Sequence, residues 1–219
     1  VLRSAGRAPR DDAMHLMQTA ETAFERATTA SPWLGRAWLR LGMTRWYLGN
    51  PQGALAALRQ AIRWAPNSRD AARRLGQYAL TIGVFDDARQ AADRLKALEP
   101  HDPSGWFLEA LACAAAGQRA PAEQGYRILI EKFPTFYPGL WNLAELLRQQ
   151  GRAEEAQPFY EAYVRVAPEP DVTARQAVEG RLAEPQGPSS LDSPQALGTT
   201  PSEGEPTQAK VRVEGSNSP

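Results

Sequence analysis

Apolar residues in this chain recur with the spacing of helices, not strands. Trp38, Leu41, Gly42 and Arg45 stand at i, i+3, i+4 and i+7, and Ala54, Leu58 and Ala61 at i, i+4 and i+7, each the trace of one helix face. Gly49 lies between the two segments, where a tight turn needs a permissive backbone. Pro66 follows the second segment, where a helix must stop. The pattern predicts an antiparallel helix pair, and the pair repeats. Pro66, Pro100, Pro134 and Pro168 are each 34 residues apart, with Pro32 one step earlier. Gly49, Gly83, Gly117 and Gly151 keep the same interval, as do Ala54, Ala88, Ala122 and Ala156, with Ala20 one period before them. Three residue classes on one period identify a repeat array. Small residues at Gly42, Gly76, Ala110 and Ala144 are expected where the helices of a pair approach closely, and Leu75, Trp106, Tyr126 and Tyr160 where neighbouring pairs must be filled. One pair cannot bury its apolar face alone, but stacked pairs bury a continuous core. The expected fold is all-α.

These residues resemble the tetratricopeptide repeat (TPR) family. The first-helix signature W-x2-L-G reads as Trp38, Leu41, Gly42, and Leu75–Gly76 repeats its later half with Ala72 in the tryptophan place. The second-helix signature reads as Ala20, Phe24, Ala27, Pro32, then as Ala122, Tyr126, Leu129, Pro134 and as Ala156, Tyr160, Tyr163, Pro168. The resemblance implies a right-handed α-solenoid with full repeats over 35–68, 69–102, 103–136 and 137–170. The third departs from the family at Glu109, where leucine is usual. Residues 11–34 carry only a second helix, and its partner would lie in or before 1–10, where Pro9 interrupts. With Val1 as first residue, this leads to the expectation that the native chain begins upstream, with a covalently attached further domain. Residues 171–183 read as a capping helix with Ala174, Ala177 and Val178 inward and Arg175, Gln176 and Arg181 outward.

TPR arrays take ligands on the concave wall made by the first helix of each pair. Carried over position by position, the resemblance places Arg36, Leu39, Arg40, Met43, Trp46 and Tyr47 there from the first repeat. Arg73, Arg74 and Gln77 come from the second, Phe107, Leu108 and Leu111 from the third, and Trp141, Asn142, Glu145 and Arg148 from the fourth. The carboxylate clamp of chaperone-binding TPR domains is missing, because Leu39 and Met43 hold its first positions. The asparagine ladder of the glycosyltransferase TPRs is matched only by Asn142, against Arg40, Arg74 and Leu108. The expected ligand is therefore a peptide with apolar anchors for the aromatic residues and carboxylates for the arginines. Trp46 and Tyr47 fit either groove anchor or packing against residues 11–30. Trp38 and Trp106, at the signature position, are read as core.

Charge and chemistry narrow the function further. The 219 residues carry 25 Lys plus Arg and 25 Asp plus Glu, which argues against a nucleic-acid binder. Residues 184–219 hold six prolines and no aromatic residue, with five acids against two bases, and read as a disordered tail. No apolar run reaches 18 residues, so no membrane insertion is expected. Cys113 is alone, which excludes an internal disulfide, and is read as a small buried hydrophobe. His15 and His101 stand far apart with no ligand-spaced neighbours, and no nucleophile–base set or phosphate loop is present, so neither metal, cofactor nor catalysis is expected. Glu154 and Glu155 open a helix, where carboxylates suit the dipole. The expected function is a non-enzymatic interaction scaffold. The alternative is the soluble TPR segment of a larger bacterial envelope enzyme or assembly machine: a polysaccharide polymerase, a secretion system or a pilus assembly protein. A homo-oligomer through Leu16, Met17 and Trp33 is a third reading. An arginine- and alanine-rich, lysine-poor composition suggests a bacterial source. Cytoplasm and periplasm both remain open, with membrane association coming only through an upstream segment.

Overall fold

The computed structural model describes residues 8–167 together with Gln176, Val178 and Gly180. The described residues form nine α-helices and no strand: α1 (Ala8–Ala30), α2 (Gly35–Tyr47), α3 (Pro51–Trp64), α4 (Arg69–Thr81), α5 (Phe85–Leu98), α6 (Ser104–Ala115), α7 (Arg119–Lys132), α8 (Tyr137–Gln149) and α9 (Ala153–Val166). They pair as α2–α3, α4–α5, α6–α7 and α8–α9, and each pair stacks on the next. The fold is the all-α TPR solenoid that the period implies. The tail over 184–219 and most of the capping segment lie outside the described residues; Gln176, Val178 and Gly180 are helical, and Val178 is buried.

Helix boundaries follow local chemistry. Gly49, Gly83, Gly117 and Gly151 all have φ between 73° and 77°, the left-handed region in which a side chain is strained. They turn the chain between the helices of each pair. Asn50 caps α3 by accepting from the Gly53 N–H at 2.8 Å, and Ser68 caps α4 by accepting from the Ala71 N–H at 3.2 Å. The first described helix starts earlier than the expected residue 11. α1 begins at Ala8, so Pro9 falls in its first turn, where no intrahelical N–H bond is lost.

Small residues set the spacing within the stack. A Cβ on Gly42 would lie 2.7 Å from Leu58 Cγ, so α2 and α3 meet only because glycine is there. Gly76 likewise admits the tip of Leu108 from the next pair. The core forms two clusters. One runs from Ala54 to Ala112 through Leu58, Leu75, Tyr78 and Leu95. The other runs from Ala110 to Val178 through Tyr126, Leu129, Leu143, Leu147 and Tyr160. Helix α6 contributes to both. Trp38 and Trp106, read from sequence as core, are only partly buried: the Trp38 indole N–H donates to Pro32 O at 2.7 Å, and Trp106 lies beneath Lys96 and Lys132, their Nζ atoms 5.2 and 4.8 Å from its ring centre. Glu109 causes no defect, because it accepts from Lys96 Nζ at 2.8 Å.

Charged bridges reinforce the joints. Arg59 pairs with Asp87 at 2.7 Å, Lys96 with Glu109, and Arg152 with Glu123 at 2.6 Å, each pair lying on different repeats. Arg152 and Arg127 together hold the Glu123 carboxyl below its ordinary range, chiefly through hydrogen bonds from Arg152.

Candidate functional site

Curvature identifies the inner wall. The first helices of adjacent pairs touch one another, α2 with α4 and α4 with α6, while no two second helices do so to a comparable extent among the described residues. Helices that meet directly lie on the inside of a bend. The inner wall is therefore built from α2, α4 and α6; α8, the first helix of the fourth pair, also carries predicted ligand positions.

The structure does not treat these positions alike. Arg36, Arg40, Tyr47, Arg73 and Gln77 are exposed, and Met43, Trp46, Arg74, Phe107 and Leu111 are partly so. On α8 two of the four positions are buried. Asn142 is buried and donates its side-chain amide to Pro138 O at 2.8 Å. Glu145 is buried, accepts a hydrogen bond from the Tyr160 hydroxyl and pairs with Arg148 at 3.4 Å. Leu108 on α6 is buried over Gly76. These three residues are core or near-core groups, contrary to their reading as ligand contacts. Trp141 is partly buried with its ring 5.6 Å from Tyr160 and 5.2 Å from Tyr163, and Leu39 packs on the first core cluster.

The open part of the wall lies on the first two pairs. Trp46 does both things that its sequence position allowed: its ring stacks on Tyr78 at 4.0 Å and 5°, and it remains partly accessible. Tyr47 beside it is 43% exposed. The arginines differ in availability. Arg73 is bound to Glu99 at 3.3 Å, and Arg74 donates to the Gln77 carbonyl at 3.4 Å. Arg36 and Arg40 have no carboxylate partner among the described residues. Sequence reasoning missed a cleft at the mouth of the second pair, lined by Asn67, Ser68, Arg69, Asp70, Arg73 and Glu99. Its signal was the Arg69–Glu99 pairing at 2.8 Å, which joins a helix start to the end of the following helix and follows no helical spacing.

Burial pushes the Cys113 thiol up, so it is a poor nucleophile. His15 and His101 are exposed. Among the described residues no cluster of His, Cys, Asp or Glu is placed to hold a metal, and no helix is long and apolar enough to cross a membrane.

This is the architecture of a tetratricopeptide repeat protein, and the comparisons agree. Tetratricopeptide repeat models match residues 39–103 and 137–170. The chain carries tetratricopeptide repeats over those residues. No curated protein sequence matches it. Solved structures of similar fold include MamA, 21% identical with a TM-score of 0.60, the match covering 75% of this chain and 95% of that one. TTC0263, a thermophilic TPR protein of Thermus thermophilus, is 22% identical with a TM-score of 0.55, covering 79% of this chain and 94% of its own. YrrB, described as a TPR protein with an unusual peptide-binding site, is 15% identical with a TM-score of 0.61, covering 77% and 86%.

Proposed function

We propose that this protein is a non-catalytic scaffold that holds an acidic, apolar-anchored peptide on the inner wall of its first two repeats. The observation that carries this reading is the pairing of an accessible aromatic ledge, Trp46 and Tyr47, with the exposed Arg40, whose guanidinium group has no carboxylate partner among the described residues. Large aromatic rings and arginines are the residues that contribute most at peptide interfaces, and guanidinium pairs bidentately with carboxylate. The burial of Asn142 and Glu145 on α8 supports placing the binding stretch on α2 and α4.

The test is fluorescence polarisation of the full chain against an array of labelled peptides varying in acidic and aromatic content. Arg40→Glu is expected to weaken the best acidic ligand at least about tenfold, since a charge-assisted pair is replaced by repulsion. Equal affinity for wild type and variant rejects the electrostatic half of the reading. The second reading, a TPR segment of a larger envelope enzyme or assembly machine, draws support from α1, a helix of the second type whose Met14, Leu16 and Met17 are exposed. In that case a separately supplied upstream segment binds α1, and Leu16→Glu abolishes the binding.

A further inference from the structure

Residues 26–69 contain seven arginines and no aspartate or glutamate, in a chain whose charges otherwise cancel. Three of the arginines are taken up by acids outside the segment: Arg45 by Glu21 and Glu25, Arg59 by Asp87 and Arg69 by Glu99. Arg40 belongs to the inner wall. Arg26, Arg36 and Arg63 remain without a carboxylate among the described residues, and all three lie toward one edge of the first repeat. Arg26 is near the end of α1, Arg36 in the first turn of α2 and Arg63 in the last turn of α3.

The same edge carries bare apolar surface. Trp33 is 65% exposed, Leu34 45% and Trp64 43%. They come together because α2 starts against the end of α3: a Cβ on Gly35 would lie 2.6 Å from the Ala65 Cβ. Trp33 and Leu34 immediately precede Gly35, and Trp64 precedes Ala65. The Arg63 guanidinium lies 5.5 Å from the centre of the Trp64 ring, so one cation already sits beside an indole. These rings stand at helix ends and in a connecting turn, away from the concave wall.

Exposed indoles at this edge, set among guanidinium groups that have no carboxylate partner among the described residues, match one surface in both respects. The headgroup layer of a bilayer accepts an indole with its apolar face inward and its N–H toward water. Lipid phosphates supply the anions. A globular protein partner would need a complementary pocket for two projecting rings and carboxylates for three arginines. We propose that this edge docks peripherally on an anionic bilayer surface, with Trp33 and Trp64 entering the headgroup layer and Arg26, Arg36 and Arg63 meeting lipid phosphates. The docking is independent of the peptide groove and needs no spanning helix.

The experiment is co-sedimentation of the full chain with vesicles of phosphatidylcholine alone or of equimolar phosphatidylcholine and phosphatidylglycerol. Bromine-labelled lipid reports tryptophan quenching, and circular dichroism confirms that each variant is folded. Wild type is expected to bind the anionic vesicles and to be quenched there, and to stay free of the neutral ones. Arg26→Gln and Arg63→Gln are each expected to lower partitioning about fivefold. The double variant Trp33→Ala, Trp64→Ala is expected to lower it about tenfold and to abolish the quenching. Absence of binding to anionic vesicles overturns the proposal. So does binding that the tryptophan variant leaves intact, which would be adsorption by charge alone. Self-association without lipid that the tryptophan variant abolishes assigns the edge to a second copy and also overturns it.

Discussion

Tyr126 and Tyr160 hold the same place in successive repeats, and both are fully buried. Their hydroxyls have opposite fates. Tyr160 donates to Glu145. One period earlier, the position of Glu145 is taken by Leu111, and the Tyr126 hydroxyl has no partner among the described residues. Burial in that apolar setting pushes the Tyr126 phenol up, so it stays protonated. An orphaned buried hydroxyl costs stability, while removal of one partner from a buried pair strands the other. Tyr126→Phe is therefore expected to stabilise the protein by about 1 kcal/mol and Tyr160→Phe to destabilise it by about 2 kcal/mol. Urea denaturation followed by circular dichroism distinguishes them; shifts of the same sign would refute the assignment. The 34-residue period predicted that both tyrosines pack between neighbours. It carried no information on which would find an acceptor, because that depends on a single substitution at the facing position.

At the level of the helix, a cluster of charged contacts joins α7, α9 and the turn before α9. Arg152 bridges Glu123 on one repeat and Glu155 on the next, with Arg127 adding to Glu123. The Glu123 carboxyl is held below its ordinary range, so the folded form binds the proton less readily than the unfolded form. The stability it contributes is present above the ordinary glutamate range and is lost as pH falls through the lowered value. Wild type is expected to weaken steeply below about pH 4, and Glu123→Gln to show a shallower acid limb. Denaturation midpoints across a pH series check this; parallel curves would show that the bridge contributes nothing. Helix positions, turns and small-residue contacts were readable because they follow from spacing and backbone permissiveness. The burial of Asn142 and Glu145 was not. The family pattern assigns a face to each residue, but the burial of these two results from what packs around them, such as the Tyr160 hydroxyl on Glu145.

Across the array, stability is divided between two core clusters that share α6: Leu108 and Ala112 belong to one, Ala110 and Cys113 to the other. Stacked repeats touch only their neighbours, so damage stays local until it reaches a shared element. Leu147 is fully buried in the second cluster. Leu147→Ala is expected to cost about 3 kcal/mol and to speed amide exchange in α8 and α9 while α3–α5 remain protected. Hydrogen exchange by mass spectrometry reads this directly, and uniform acceleration along the chain would contradict the division. The contact between Gly76 and Leu108 has a consequence for shape. It lies where α4 meets α6, on the inside of the arc. A wedge in that place fixes how sharply the arc can bend: a bulkier residue at Gly76 props the joint apart and flattens it, and a shorter one at Leu108 lets it tighten. The bend at this joint thus depends on one leucine seated over a missing side chain.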